Sequence, residues 1–333
     1  MIKEITIKGF KSFFDETIRI APLTVLTGLN SSGKSTVIQA IRILGNVSNG
    51  YSNPLLEGHG TIEELQNQYL KAPFSLEALY DSPDGMNAMI RYSAEGQGSY
   101  TNDGYPNIIY VSADRFGPQT SIPISSDYKL GERGENVLNC IDHYWDTLLN
   151  PILIHENSQG ETFEFNLVAW LGAISPGVRF KSHILKATDS SYSLFNDHRA
   201  KNVGFGLSYT LPIIVALFLG TIEKDTTVLI ENPEAHLHPK GQTELARLIC
   251  LAVEAGAQII VETHSDHLFD GIRIFAKQHK GFAQKVCLNW FELDEDKLTT
   301  VESPELQQDG RLSEWPTGLF DQFGINASEL LKP

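Results

Sequence analysis

The chain has 333 residues, of which 41% are hydrophobic and 20% charged, and its 26 basic and 41 acidic side chains give a net charge of −15 at pH 7. This ordinary globular composition excludes a disordered chain, a collagen-like sequence and a coiled-coil rod, and the length predicts about two domains or lobes. The longest apolar run, residues 209–222, is broken by Pro212 and is shorter than the ~20 residues of a membrane span. Three widely spaced cysteines and an N-terminus without a signal-peptide core predict a soluble, cytoplasmic protein with no membrane contact.

The N-terminal part of the chain is predicted to be rich in strands. A turn of glycines and serines at 28–35 leads into a helical pattern that begins at Thr36, and Gly45 is its predicted end. Alternating or continuous apolar residues predict the strands of this part: 5–10, 17–20, 23–27, 74–79 and 107–112.

The pattern of polar and apolar residues changes near residue 117 and again after residue 201. Between residues 117 and 200, polar turns surround two helix-like pieces, 137–149 and 165–171, which predicts an inserted, partly helical lobe. After residue 201 the chain again resembles a protein core, with a strand at 226–231, a helix at 239–255 and a strand at 258–263. A strand, a helix of this length and a second strand predict a βαβ unit with parallel strands.

The turn after the third strand is a nucleotide-binding motif. Residues 28–35, Gly-Leu-Asn-Ser-Ser-Gly-Lys-Ser, match GxxxxGK[ST] and lie between a predicted strand and a predicted helix. In such a loop backbone N–H groups bind phosphate oxygens, Lys34 reaches the β- and γ-phosphates, and the Ser35 hydroxyl coordinates Mg²⁺. The sequence therefore predicts ATP and Mg²⁺ as cofactors. The predicted ATP-binding residues are Gly28, Asn30, Ser31, Ser32, Gly33, Lys34, Ser35 and Thr36.

An acid ends the strand at 226–231. P-loop proteins usually end a second strand with an acid that holds Mg²⁺, so Glu231 joins Ser35 as a predicted metal-site residue. The next strand runs into Thr263-His264-Ser-Asp. Because parallel strands end at the same sheet edge, we expect the ends at 28, 231 and 263 to converge on one site.

These motifs together resemble the ABC-type ATPases of the SMC, RecF and OLD-like branch. The resemblance rests on the P-loop, on the run Glu231-Asn-Pro-Glu-Ala-His-Leu-His-Pro239 and on the Thr263-His-Ser-Asp segment. Within the branch, the chain is most similar to the short bacterial ATPases often found in anti-phage defence operons. The similarity extends from residue 5 to about 270, with a looser match in the middle lobe. Residues 310–321 resemble a tail of unknown function carried by a subset of these proteins.

The resemblance implies roles for single residues. Glu231 would be the Walker B acid, His264 the switch histidine that senses the γ-phosphate, and His238 part of a loop that touches a partner subunit. Residues 204–208, Gly-Phe-Gly-Leu-Ser, would be a degenerate signature motif in which Gly206 and Ser208 face ATP bound by the other subunit. The alternative interpretation of this segment is a turn with Ser208 as a helix N-cap. The family's glutamine loop has no clear position, with Gln66 and Gln68 as its candidates.

One position departs from the family pattern. The residue after the Walker B acid is normally a glutamate that polarises the attacking water, whereas this chain has Asn232, whose amide cannot accept a proton. Glu234 is the candidate replacement, and the alternative for Glu234 is a carboxylate in the first turn of a helix. The predicted catalytic residues are thus Glu234, Asn232 and His264, with slow turnover.

The predicted fold class is α/β: a P-loop NTPase of the ABC-type ATPase head, with a mostly parallel core sheet, an N-terminal antiparallel β portion and an inserted helical lobe. The predicted parts are 1–116, the N-terminal part of the head with the P-loop; 117–200, the inserted lobe; 201–300, the C-terminal part of the head; and 301–333, a tail.

The expected function is an ATPase that dimerises around ATP and regulates a separate effector protein, a nuclease or toxin in anti-phage defence. The sequence allows nucleic acid as a partner without requiring it, because its two basic stretches, 179–201 and 273–285, lie in an acidic chain. One alternative is an ATP-sensing dimerisation module without hydrolysis, which Asn232 favours. A metal-dependent hydrolase is the other, suggested by the HxH spacing of His236 and His238 with His264, Asp266 and His267.

Overall fold

A computed structural model describes residues 1–70, 72–95, 97–100 and 104–332 of the chain. Its elements, in chain order, are β1 (Ile2–Phe10), β2 (Phe13–Arg19), β3 (Leu23–Gly28), α1 (Lys34–Ser48), α2 (Ile62–Leu65), β4 (Ser75–Asp81), β5 (Asn87–Ser93), β6 (Gln97–Tyr100), β7 (Asn107–Val111), β8 (Ile122–Pro123), α3 (Val137–Tyr144), α4 (Phe163–Ile174), β9 (Phe180–Leu185), β10 (Ser190–Phe195), β11 (His198–Arg199), α5 (Phe205–Ile222), β12 (Thr226–Glu231), α6 (Pro239–Glu254), β13 (Gln258–Glu262), α7 (Asp266–Gln278), β14 (Val286–Leu293), β15 (Thr299–Glu302) and α8 (Gln322–Leu330).

The chain divides into two compact units. Unit 1 comprises residues Met1–Ile108, His264–Asp266 and Ala276–Pro333, and unit 2 comprises Ile109–Thr263 and His267–Phe275. Both units are thus assembled from separated parts of the sequence. The predicted division at 116, 200 and 300 stays a prediction.

Unit 1 contains an antiparallel sheet and the strand that leads to the P-loop. The antiparallel sheet has the order β2-β1-β4-β5-β6, which confirms the predicted N-terminal β portion. Strand β3 pairs in parallel with β14, and β14 pairs antiparallel with β15. Every residue of β3 is buried, as its continuous apolar pattern predicts for a central parallel strand. Helix α1 packs against β1, β3, β4 and β5.

Unit 2 contains the predicted βαβ unit. Strands β12 and β13 are parallel, with Glu231 beside Glu262 in the register, and α6 connects them. Helix α5 packs against α3, α4, α6 and β12. A second, smaller sheet has the order β11-β10-β8, and β9 pairs with β10. The parallel pairs of both units agree with the predicted α/β class.

Helix α5 is a long apolar helix of this unit. By length and composition it could cross a membrane, but 67% of its most apolar window is buried within the protein. It also contains Pro212, which lacks an N–H group for the helix ladder. The packing of α5 is that of a core helix.

One local prediction was wrong, and one hairpin was not predicted. Gly45 does not end the first helix, because α1 continues to Ser48. A Cβ atom at Gly45 would lie 3.3 Å from the Ile108 side chain, so this glycine permits close packing inside the helix. The inserted lobe contains α3 and α4, close to the predicted helical pieces, but also the β9–β10 hairpin that the sequence interpretation missed. Its strands are short and polar, which weakens the period-two signal.

Candidate functional site

The P-loop has the backbone of a phosphate-binding loop. It runs from the end of β3 at Gly28 to the start of α1 at Lys34, and positive φ angles occur at Gly28 (147°), Ser31 (64°) and Gly33 (108°). Gly33 is the N-cap of α1. Such a turn directs successive N–H groups toward one concavity, which favours an anion.

Residues far away in the sequence hold this loop from outside. The Thr299 hydroxyl on β15 donates a hydrogen bond to the Ser32 carbonyl (3.0 Å). A Cβ atom at Gly33 would lie 2.7 Å from both the Phe13 ring and the Thr299 hydroxyl, and one at Gly28 would lie 2.2 Å from the Phe291 carbonyl. Close packing therefore requires glycine at both positions, in addition to their φ angles.

Lys34 is buried in its own loop. Its side chain is 3% exposed, and the ammonium donates to the carbonyls of Gly28 (3.1 Å) and Leu29 (2.6 Å). Ser35 follows it in the first turn of α1, half-buried, and Thr36 is buried with its N–H bonded to the Gly33 carbonyl (3.0 Å). The backbone carbonyls of the loop itself thus hold the ammonium.

His264 lies in unit 1 with the P-loop. It is an exposed residue between β13 and α7, yet its pKa is lowered, first by the partial burial of its ring and second by the positive charge of Lys34. This neighbourhood suits a side chain that responds to a phosphate, and the neutral ring at pH 7 can donate or accept a hydrogen bond.

Glu231 ends β12 in unit 2, where the turn after β7 fixes it. The N–H of Ala113 donates to the Glu231 carboxylate (3.2 Å). The buried guanidinium of Arg115 donates to the carbonyls of Glu231 (2.7 Å) and Asn232 (2.8 Å). The sequence interpretation found strand β7 but did not consider its polar end, and a buried strand followed by Ser112-Ala-Asp-Arg115 was the available signal. The convergence of Glu231 with the P-loop stays a prediction.

Asn232 and Glu234 form the turn after Glu231. Asn232 has φ 44°, its N–H donates to the Glu262 carbonyl (2.8 Å), and among the described residues its buried Oδ1 atom accepts no hydrogen bond. Glu234 precedes the start of α6 by five residues, so its alternative interpretation as a carboxylate in the first helical turn is wrong. Its charge favours the ionised form of Arg115 and so opposes the lowering of the Arg115 pKa by burial.

The predicted signature segment forms the first turn of α5. The N-cap is Gly204, without a side-chain hydrogen bond, so the alternative interpretation of Ser208 as N-cap is wrong. A Cβ atom at Gly206 would lie 2.6 Å from the His236 carbonyl. Ser208 is half-buried and lines a recess of about 430 Å³, open space included, in unit 2. The structure thus brings the signature segment against the turn that follows Glu231.

The two histidines of the HxH pair have structural partners. The His236 ring contacts the rings of Phe205 (5.5 Å between centroids) and Tyr209 (4.8 Å). His238 is the N-cap of α6, and its Nδ1 atom accepts from the N–H of Lys240 (3.3 Å). Within the described residues, no group of three or more His, Cys, Asp or Glu side chains is arranged to hold a metal ion. The ligand set of a metal-dependent hydrolase is not assembled there.

Other predicted features have local partners too. In the first basic stretch, Lys181 and Arg179 both lie near the Asp197 carboxylate (2.7 and 3.7 Å), which offsets their charge. In the second, Arg273 pairs with Asp270 (2.6 Å). The Gln66 side chain donates to two carbonyls of its own loop, Leu70 (3.2 Å) and Ala72 (3.0 Å), and Gln68 is exposed. The position of a glutamine loop stays open.

The sequence matches, over residues 23–270, the family described as "AAA domain, putative AbiEii toxin, Type IV TA system". The chain belongs to this family. Residues 283–330 match a second family, described as "Protein of unknown function (DUF3696)", which agrees with the tail resemblance and extends it into β14.

Similar proteins agree with this assignment. A protein called OLD nuclease from Thermus scotoductus (strain ATCC 700910 / SA-01) is 24% identical over 341 aligned positions, which cover 83% of this chain and 62% of that protein. The chain thus spans less than two thirds of this relative's length. Together with the family match, the relative confirms the ABC-type P-loop ATPase of the SMC, RecF and OLD-like branch.

Solved structures confirm the fold. The SMC head bound to the C-terminal winged-helix domain of ScpA is 17% identical, with a TM-score of 0.61 over 92% of this chain and 98% of that one. The structure of the recombination mediator protein RecF-ATPrS in the RecFOR pathway is 14% identical, with a TM-score of 0.50 over 90% of this chain and 98% of that one. At these identities the likeness shows the P-loop ATPase fold.

Proposed function

We propose that the protein is a cytoplasmic ATPase of the ABC type that binds ATP with Mg²⁺, dimerises around it, hydrolyses it slowly and thereby regulates a separate effector protein. The observation that carries this proposal is the P-loop: glycines at positive φ, a lysine whose ammonium bonds to carbonyls of the loop, and a helix N-terminus directly behind the loop. This arrangement suits the β- and γ-phosphates of a nucleotide.

In this proposal the residues divide the chemistry between binding and water activation. Lys34 leaves the carbonyls of Gly28 and Leu29 and neutralises phosphate oxygens, while Ser35 and Glu231 hold Mg²⁺, the usual arrangement of P-loop proteins. His264 contacts the γ-phosphate. Ser208 and the N–H groups of the first α5 turn contact the ATP of the other subunit. Glu234 orients the attacking water, or the site lacks a general base because Asn232 occupies the position after Glu231.

The test of nucleotide binding is Lys34→Ala. A charged hydrogen bond contributes about 1.5–3 kcal/mol, so ATP affinity measured by calorimetry should fall at least ~10-fold. Lys11→Ala is the matched control, because Lys11 lies in the same unit and bonds to Gln39 on α1 outside the loop (2.6 Å). Equal ATP affinity in wild type and Lys34→Ala would refute the assignment of this loop.

A second candidate function is an ATP-sensing dimerisation module that does not hydrolyse ATP. Asn232 favours it, because an amide cannot take the proton of the attacking water. Steady-state phosphate release separates the two candidates. Turnover that stops when EDTA removes Mg²⁺ supports the ATPase, and ATP-dependent dimers without phosphate release support the sensor.

The effector part of the proposal rests on the relatives. The family description names a toxin system, and a relative called a nuclease is longer than this chain. A nuclease or toxin on a separate chain, in anti-phage defence, would fit both. Nucleic acid stays a partner that the sequence allows without requiring, because part of each basic stretch is paired with aspartate.

A further inference from the structure

Arg115 is a buried arginine that joins two segments of unit 2. Arg115 is 1% exposed, and the terminal nitrogens of its guanidinium donate to the carbonyls of Ser112 (2.8 Å), Glu231 (2.7 Å) and Asn232 (2.8 Å). Two residues earlier, the Ala113 N–H donates to the Glu231 carboxylate (3.2 Å). The end of β12 is therefore held both through its backbone and through the acid that it carries.

Burial of the Arg115 charge costs more free energy than burial of an apolar side chain would. All three hydrogen bonds go to neutral carbonyls, and among the described residues its buried Nε atom has no hydrogen-bond partner. Burial lowers its pKa to about 10, while nearby Tyr209 and the carboxylates of Glu234 and Glu231 oppose that shift. The group still carries its charge at pH 7. A buried charge costs free energy that an apolar side chain of similar size would avoid, so packing alone does not explain it.

The other side of the Arg115 guanidinium faces helix α5. Its Cζ atom lies 5.2 Å from the centre of the Tyr209 ring, within the range of a cation–π interaction. The Tyr209 ring meets the His236 ring edge-on, at 4.8 Å between centroids. One turn earlier, Gly206 leaves no room for a Cβ atom against the His236 carbonyl. The turn after β12 thus contacts the first turns of α5 directly at two points, and Arg115 adds a third connection between them.

From this geometry we infer that Arg115 is a positioning residue that couples the strand end carrying Glu231 and Asn232 to the α5 turn carrying Ser208. A displacement of the backbone at 231–232 pulls on the guanidinium, which moves against the Tyr209 ring. Because Gly206 packs directly on the His236 carbonyl, the start of α5 moves together with the turn after β12. The coupling is a property of unit 2, and its effect on ATP-dependent dimerisation rests on the proposed function.

The first test needs no nucleotide. Hydrogen–deuterium exchange is measured for the amides of residues 209–211 and 229–232 in wild type, Arg115→Lys and Arg247→Lys. Lysine keeps the charge of Arg115 but cannot reach three carbonyls and stack on a ring at once. Exchange in both segments should become at least ~5-fold faster in Arg115→Lys, since a lost hydrogen bond to a charged group changes local opening by that amount or more.

Arg247→Lys is the matched control, because the Arg247 guanidinium also lies over an aromatic ring, Trp170 (5.1 Å), in the same unit. It should leave both segments unchanged. Unchanged exchange at 209–211 in Arg115→Lys overturns the coupling. Exchange that rises equally throughout unit 2 also overturns it, because a purely structural arginine would give that result.

The second test keeps the three backbone hydrogen bonds of Arg115 and removes the Tyr209 ring, with its contacts to Arg115 and His236. Tyr209→Leu should bind ATP within ~2-fold of wild type and raise the dimer dissociation constant at least ~5-fold in light scattering with ATP. Tyr209→Phe restores the ring face and should restore the dimer. The double variant Arg115→Lys/Tyr209→Leu should be no weaker than the worse single variant, because both break one coupling.

Additive effects in the double variant, or a normal dimer in Tyr209→Leu, overturn the inference. The two proposals fail separately. Wild-type protein that neither binds ATP nor dimerises refutes the proposed function, and the exchange experiment then decides the coupling by itself.

Discussion

At the scale of single residues, Asn232 shows how backbone conformation constrains the site. Its φ of 44° is left-handed, a region that asparagine enters more easily than glutamate. Asn232 therefore suits the tight turn that brings its carbonyl to Arg115. The same residue leaves an amide where the resemblance to ABC-type ATPases leads us to expect a carboxylate.

Two substitutions at this turn should identify the residue that activates water. If Glu234 is the base, single-turnover phosphate release should fall at least ~10²-fold in Glu234→Gln. If the site lacks a base, Asn232→Glu should release phosphate faster while Glu234→Gln changes little. Asn232→Gln is the control, because it imposes the same backbone strain without a carboxylate. Fast wild-type turnover that neither substitution alters contradicts both versions.

His264 gives a prediction on pH. Burial and the Lys34 charge lower the pKa of His264 in the folded protein. The fold therefore favours the neutral ring, so the free energy of unfolding is unaffected at pH 7 and decreases as the pH falls below the ordinary histidine pKa of 6.5. Bound phosphates would add negative charge beside the ring and raise its pKa. ATP binding should then take up protons near pH ~6, measured by calorimetry in buffers of different ionisation enthalpy. His264→Gln should lose this uptake, and an equal proton count in the variant contradicts the prediction.

At the scale of elements, helix α5 combines a buried apolar body with a functional first turn. Its residues 210–220 are buried and pack against α4, α6 and β12. Ser208 lies just before this stretch and lines the 430 Å³ recess together with Ser193 of β10. The same helix therefore anchors the core and presents the segment proposed to meet the second subunit.

Substitution of Ser208 by arginine tests this assignment. Ser208→Arg should keep ATP binding to the monomer and abolish the ATP-dependent dimer in light scattering, because an isologous interface meets one substitution twice. Ser193→Arg is the matched control, since it places the same side chain in the same recess from another element. Two normal dimers would show that the segment is not at the interface. If both variants stay monomeric and melt at a lower temperature, the loss of the dimer comes from disruption of the recess and the signature assignment is not supported.

At the scale of the whole molecule, the C-terminal tail divides into a packed and an exposed part. Leu306 and Leu319 are buried in unit 1, and the Gln308 side chain donates to the Ala276 carbonyl (2.6 Å). Helix α8 has no buried residue, and its Phe323 is 78% exposed. The first part stabilises unit 1, and the second is available to another protein.

Deletion of residues 322–333 separates these roles. Because no residue of α8 is buried, the melting temperature should change by less than ~2 °C and ATP affinity should stay the same. Capture of the proposed effector, measured with a purified neighbouring gene product, should weaken at least ~10-fold. Deletion of 311–333 is the comparison, because it also removes Leu319 and should lower the melting temperature. Unimpaired capture without α8 contradicts its role as a contact.

Sequence alone determined the elements that are continuous in the chain. The P-loop between β3 and α1, and the βαβ unit from β12 to β13, follow from a motif and from apolar periodicity within ~40 residues. Local patterns could not show that Gly45 lies inside a helix, because its reason is the neighbouring Ile108 side chain. The β9–β10 hairpin was not predicted for a similar reason, because the pairing of its strands defines it and its apolar pattern is weak.

Tertiary structure decided what surrounds the motif residues. Thr299, which lies 267 residues after Ser32, and Phe13 of β2 both pack against the P-loop. Arg115 bonds to the Glu231 carbonyl although 116 positions separate the two residues in the chain. His236, a candidate metal ligand by spacing, instead packs on Phe205 and Tyr209. Such partners are chosen by which side chains the folded backbone brings within 3–5 Å, and that choice is not encoded in the spacing of residues along the chain. The sequence identified the nucleotide motif, and the fold identified the groups that hold it in place.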